Sequence, residues 1–296
     1  MRLLKEYVCA MALSSHPQLS APSSGWRASL RLQFSARGAD TWLSRREHYG
    51  PLRVQRPFYP ERRQGGEAGA CHVYLVHPPG GIVGGDELHV QVDVTDGAHA
   101  LVTTPAATKF YRSDGKLARQ VQQVALGAAA LEWLPQETIF YPGAHARSTT
   151  RIDLSAGSKF IGWEIPCLGL PAREEYFNTG QLALDLELWR DRRPLFVDRL
   201  RIDGESVARG ARCDLAGHHA IGTLLAYPAD AALLALVRET EGRGAQVAAT
   251  LVDGVLMCRA LAGQSEAVRR TFVAMWQAIR PRLLGCEVVL PRIWAT

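Results

Sequence analysis

The chain has 296 residues, a hydrophobic fraction of 47%, a formal net charge of +5 and a pI of about 9.0. These values describe a globular protein large enough for one sizeable core, and no run of 18 or more apolar residues marks a membrane span. Only Lys5, Lys109, Lys116 and Lys159 among the 34 basic residues are lysines, and the arginine pairs Arg45–Arg46, Arg62–Arg63 and Arg192–Arg193 lie apart without interleaved aromatics. That pattern argues against a nucleic-acid groove and fits a surface that meets acidic partner proteins.

Residues 1–24 read as a disordered tail, too broken by Glu6 to be a signal peptide, and residues 25–296 as a single domain. Cys9, Cys71, Cys167, Cys213, Cys258 and Cys286 show no C-x-x-C spacing. Reduced thiols in a cytoplasm are therefore expected, not a zinc ribbon or a disulfide framework.

Strand signals then dominate in chain order. Residues 26–34 alternate, residues 71–76 form a second strand, and HPPGGIVGGD follows from His77 to Asp86. This loop misses both phosphate-binding patterns, because Ile82 stands where G-x-G-x-x-G needs its second glycine and Asp86 and Glu87 follow Gly85 where the Walker pattern needs Lys and Ser or Thr. Residues 87–94 alternate polar and apolar, so the loop leads into a strand and not a phosphate-holding helix. Further strands are predicted at 98–104, 117–124, 130–134, 148–154, 159–166, 182–189 and 195–202. Such a series points to a mainly β sandwich, barrel or solenoid-like architecture, although no fixed repeat is apparent. Helices come late: one over 218–226 with Ile221, Leu224 and Leu225 on one side, and one capped by Ser265, with Val268, Phe272, Met275, Trp276 and Ile279 at helical spacing, Pro281 ending or kinking it and Gly285 beyond.

Catalytic motifs are scarce. G-x-S-x-G and H-E-x-x-H are absent. Cys71 and His77 lie too far apart on an extended strand to chelate one ion, and His218 and His219 diverge on the predicted helix. A carboxylate-pair hydrolase using Glu132 and Glu137, or Glu174 and Glu175, stays open, the ordinary roles of these residues being strand-edge solvation and turn hydrogen bonds.

HPPGGIVGGDELHVQV, ALVTTPAATKFYRS, LEWLPQETIFYPGA, CLGLPAREEYFNTG and a C-terminal PRIW occur in an order and spacing that resemble the urease accessory protein family UreD, also called UreH. The likeness runs from Trp26 to Trp294. Leu170 stands where the family pattern has Arg and Glu174 where it has Gly, while Glu175, Phe177 and Gly180 match.

The resemblance implies a two-layered, β-helix-like fold with a few helices and a non-catalytic maturation role. Family members are described as scaffolds that bind urease apoprotein, the accessory protein UreF and, through UreF, the GTPase UreG, with nickel passing along a wet channel. No tightly bound cofactor is expected, only transient Ni²⁺. Weak oxygen or imidazole ligands suit an ion in transit, because a closed Cys/His site would trap it. Candidate stations are Asp86, His89, Glu164, Glu175 and Asp198. His77, Gly80, Gly81, Gly84 and Gly85 would shape the channel mouth or a docking edge, with Asp86 as a turn cap the competing role. The apolar face of Phe272, Met275, Trp276 and Ile279 is a candidate partner surface.

Overall fold

The computed structural model describes residues 25–61, 69–208, 215–240 and 242–295, so the predicted tail lies outside the described residues. Strands β1 (Arg27–Arg37) and β2 (Asp40–Tyr49) form a hairpin, followed by β3 (Arg53–Val54) and β4 (Cys71–Val76). Three rising turns then follow, each of three strands. The first is β5 (Glu87–Val94), β6 (His99–Thr103) and β7 (Thr108–Phe110), and the second β8 (Ala118–Leu126), β9 (Ala130–Leu134) and β10 (Thr138–Phe140). The third is β11 (His145–Leu154), β12 (Lys159–Glu164) and β13 (Pro166–Leu170). Every strand lies parallel to its counterpart one turn earlier.

This is the mainly β, β-helix-like arrangement expected. Its repeat is written in the corners. Pro105, Pro135 and Pro166 recur about 30 residues apart, as do Phe110-Tyr111 and Phe140-Tyr141. The Phe110 and Phe140 rings stack at 5.0 Å with their planes 17° apart, and Tyr111 and Tyr141 meet at 4.9 Å. Each turn thus places its aromatic pair on the one below.

The chain continues through β14 (Glu175–Tyr176), β15 (Gln181–Arg190), β16 (Arg193–Asp203), α1 (Gly204–Ala208), β17 (Ala220–Tyr227), α2 (Ala231–Arg238), β18 (Gln246–Val252), β19 (Val255–Ala262) and α3 (Ser265–Leu284). A seven-stranded sheet has the order β16-β15-β11-β8-β5-β1-β2, five parallel strands closed by an antiparallel partner at each edge. The second, twelve-stranded sheet carries the second and third strands of every turn, with β17 antiparallel between β12 and β13 and with β19 and then β18 branching from β17.

Most of the side chains of β1, β5, β8, β11 and β15 that point inward are apolar and fill the space between the sheets. A second core fills the far side of the twelve-stranded sheet, under α2 and α3. Strands such as β4 and β17 are therefore covered on both faces, which explains why they read as unbroken apolar runs.

Double coverage corrects the helix expected over 218–226. All eight residues of β17 are buried. In a central strand an apolar run meets helical spacing by accident, and its shortness is the better guide.

The C-terminal helix is real, but it starts after Gln264, whose side chain makes no capping bond. Pro281 sits within its last turn without ending it, and Gly285, at φ 71°, closes it by donating its N–H to Pro281 O at 3.0 Å. Phe272, Met275, Trp276 and Ile279 are at most 1% exposed and pack on Ile161, Trp163 and Leu224. The helix needs this face for its own core, each such side chain contributing about 1.5–3 kcal/mol. The expectation that these four residues offer a surface to a partner is therefore corrected.

Candidate functional site: a polar seam between the sheets

Strand register fixes which inward side chains share a row. One row runs Leu32, Val92, Val124, Ile152, Leu188 and Phe196 across β1, β5, β8, β11, β15 and β16, apolar from end to end. The neighbouring rows break that rule. Ala28, Leu88, Gln120, Ser148, Leu184 and Leu200 form one, and Leu30, Val90, Gln122, Thr150, Leu186 and Asp198 the other. Four polar side chains on β8 and β11, with Asp198 beyond, thus stand where leucine or valine would pack best.

The facing sheet answers with Glu164 at the end of β12. Gln122 donates from Nε2 to Thr150 Oγ1 at 2.9 Å, and the Thr150 hydroxyl donates in turn to Glu164 Oε1. Burial pushes the Glu164 carboxyl up to about 7, and the Asp198 charge adds to the shift against the Thr150 hydrogen bond. Asp198 itself is paired with Arg259 at 2.7 Å, and Arg259 Nη1 donates to Thr223 Oγ1 at 2.7 Å.

A cavity of about 160 Å³ lies between the sheets along this seam. It has room for several waters. His77, Gly80, Gly81 and Lys109 line one end, and Gln120, Gln122, Ser148 and Glu164 another part of its wall. Burial lowers the His77 ring's pKa against the opposing charge of Asp86, so the imidazole is neutral at pH 7 and able to act as a ligand.

The glycine loop shapes this end by close packing. A Cβ on Gly81 would fall 2.2 Å from the Tyr111 ring, and Gly85 has φ 95°, a conformation that side chains strain. Gly84 and Gly85 do not line the cavity; Gly84 lies against Ser113.

Asp86 has a different occupation. Its Oδ1 accepts from Trp26 N–H at 2.8 Å and its Oδ2 from Val83 N–H at 3.0 Å, so the 6% exposed carboxylate caps its own turn and ties the loop to β1. His89 is exposed on the outer face of β5, and Glu175 is exposed on β14. Of the five candidate stations, Glu164 and Asp198 are brought together, while Asp86, His89 and Glu175 lie apart from the seam.

Gln120, Gln122, Ser148, Thr150, Thr223 and Arg259 were missed. A signal was present: in β8 the even positions 124 and 126 are Val and Leu, yet 120 and 122 are Gln. Polar residues on an apolar face are the informative kind.

Glu132 also departs from expectation. It is wholly buried and not at a solvated strand edge. Arg280 Nε lies 2.9 Å from its Oε2, Trp276 Nε1 donates to the same oxygen at 2.6 Å, and His99 Nε2 is 2.9 Å from its Oε1. Arg280 reaches on to Glu61 at 2.6 Å, and Glu61 to His72 at 2.7 Å. Both oxygens of Glu132 are thus occupied by fixed donors, a poor arrangement for a hydrolytic acid. His219 stacks on Tyr176 at 4.5 Å, and no three His, Cys, Asp or Glu side chains among the described residues converge to hold a metal ion.

The sequence profile of the family described as UreD urease accessory protein matches residues 27–295. Urease accessory protein UreD of Klebsiella aerogenes is 45% identical over 274 residues, covering 92% of this chain and 97% of its own. Proteins of the same name from Azoarcus sp. strain BH72 and Escherichia coli are 43% and 42% identical, over 96% and 92% of this chain and 99% and 98% of theirs. A role in urease maturation follows, and the chain belongs to the UreD urease accessory protein family.

Proposed function

We propose that this chain is a non-catalytic scaffold that binds urease apoprotein, UreF and, through UreF, the GTPase UreG, and that conducts Ni²⁺ toward the urease active site along the polar seam. The observation that carries this reading is the pair of polar inward rows beside an unbroken apolar one, opening on a cavity. A purely structural core gains nothing from Gln122, Thr150 and Glu164, because buried polar groups at best recover in hydrogen bonds what they lose in hydration.

The chemistry suits an ion that must leave again. Amide, hydroxyl and carboxylate oxygens, with the neutral His77 imidazole at the loop end, hold a divalent cation weakly at separate points. Glu164, with its pKa near 7, exchanges a proton for a cation without a large penalty for either state. Asp86 enters this reading as the residue that sets the loop at the mouth. The described helices include none long and apolar enough to cross a membrane, and Cys71, Cys167, Cys258 and Cys286 are free, which agrees with work in a reducing cytoplasm.

Coexpression with the urease structural subunits tests the scaffold, and gene deletion tests the conduit. A co-purifying complex is expected, and without this chain urease should accumulate with little nickel. Full nickel occupancy in the deletion strain at ordinary supply would refute the proposal.

A further inference from the structure

One end of the cavity is formed by the glycine loop, and its lining does not include Asp198 or Arg259. Its wall reaches Ser148, Leu184 and Glu164 and extends no further along the row toward Asp198. Asp198 stands two strands beyond Thr150 in that row, about 10 Å on at the usual strand spacing. There it meets Arg259 of the opposite sheet. Their side chains are 24% and 35% exposed, neither deep interior nor open surface.

Arg259 is held from three sides. Its guanidinium is 2.7 Å from Asp198 Oδ2, donates to Thr223 Oγ1 at 2.7 Å, and lies 5.9 Å from the centre of the Phe196 ring. The fork therefore spans the gap between sheets, from β19 and β17 on one side to β16 on the other. A guanidinium keeps its charge at every accessible pH, so it repels another cation until it moves. A partly solvated ion pair of this kind binds weakly, so displacement is feasible.

Resting on the reading of the seam as a nickel passage, we propose that the Arg259–Asp198 pair is the closed second mouth of that passage. Arg259 is the resident cation that must release Asp198 before a divalent ion crosses between Glu164 and the outside. In the closed state Asp198 is neutralised and Glu164 is screened from solvent. When Arg259 swings out, the two carboxylates face one another across an open gap, and an arriving divalent cation supplies the charge that the guanidinium withdrew.

Cysteine accessibility tests this without nickel. In the full chain, Ser148→Cys places a thiol on the cavity wall, and modification by a small cationic methanethiosulfonate, followed by peptide mass, reports how readily ions reach it. Arg259→Met in that background should raise the modification rate at least fivefold. An unchanged rate in a folded Arg259→Met protein overturns the proposal. If that variant does not fold, the double change Asp198→Asn with Arg259→Gln, which keeps a neutral hydrogen-bonded pair, should still raise the rate at least twofold, and no rise overturns it equally.

Urease nickel content separates the two levels. Faster labelling in Arg259→Met, with nickel loading indifferent to Glu164→Gln, keeps the mouth and removes the nickel reading. Loading that falls with Glu164→Gln while labelling ignores Arg259 keeps the nickel reading and removes the mouth.

Discussion

Two buried polar regions lie on opposite faces of the twelve-stranded sheet, and both contain glutamates. Around Arg280 every carboxylate meets a cation: Glu61 and Glu132 share the guanidinium, and His72 and His99 close the ends. Glu164 accepts from the Thr150 hydroxyl, which Gln122 bonds in turn, no ion pair to it is found among the described residues, Arg259 is paired with Asp198, and a cavity adjoins. The titration behaviour divides accordingly. His72 and Arg280 hold Glu61 down at about 2 in spite of burial, whereas burial takes Glu164 up to about 7. A glutamate with a permanent counter-ion is a clamp, and one without is available to a passing cation.

The largest effect that would break this contrast is on the clamp. Arg280→Met leaves two buried carboxylates without their cation and should cost about 3–5 kcal/mol, read as a lower urea midpoint. A loss below about 1 kcal/mol would show that α3 is held by its apolar face alone. The matching change in the seam should behave oppositely: Glu164→Gln is expected to keep the fold intact and lower urease nickel content.

The pH dependence sharpens the same comparison. Glu61, with a folded pKa below its unfolded value, contributes stability above about pH 4.5 that is lost as pH falls toward 2. His99 is driven upward to about 9 against burial by Cys286 and Glu132, so its contribution is complete below about 6.5 and is lost as pH rises toward 9. Glu164 has the reverse sign to Glu61: its folded pKa is raised, so ionisation destabilises the fold as pH rises from about 4.5 to 7. Glu164→Gln should therefore gain on the parent across that window, on the order of 3 kcal/mol, and be level with it below pH 4. Parallel pH profiles for the two proteins would mean that Glu164 is better solvated than its setting implies.

Smaller effects belong to the residues outside both regions. Asp86→Ala removes the acceptor for two backbone N–H groups and should cost about 1 kcal/mol. Glu175→Ala, on an exposed strand, should stay within about 0.5 kcal/mol of the parent in thermal unfolding. If Glu175→Ala lowers nickel loading while Asp86→Ala does not, the path runs over the surface instead of along the seam.

Legibility in the sequence followed solvent exposure. Strands with one wet face, such as β5 and β8, announced themselves by alternation, and β4, β5 and β9 have the boundaries read from the residues. The long covered strand β17 and the mostly exposed β2 did not, although the short covered runs β4 and β9 were bounded by their flanking residues. β17 looked helical because both of its faces are buried, and β2 was passed over because outside Thr41 and Leu43 its side chains are exposed, leaving no apolar period to see. Of the site, Glu164 and Asp198 were among the candidate stations, but the polar row beside them required strand register, which places Gln122 beside Thr150 across 28 positions of chain. Phe272, Met275, Trp276 and Ile279 had the right helical face and the wrong destination, since periodicity says which side is apolar and not what covers it.

The most direct test replaces the seam by the aliphatic row beside it. Gln122→Leu, Thr150→Val and Glu164→Leu together remove the Gln122–Thr150–Glu164 hydrogen-bond chain that joins β8, β11 and β12 while keeping similar volumes. The triple variant should be at least as stable as the parent and should still co-purify with urease, because buried polar groups are replaced by well-packed apolar ones. Nickel per urease active site should fall at least tenfold in cells that depend on it. A stable, urease-bound triple variant that loads nickel normally would contradict the account.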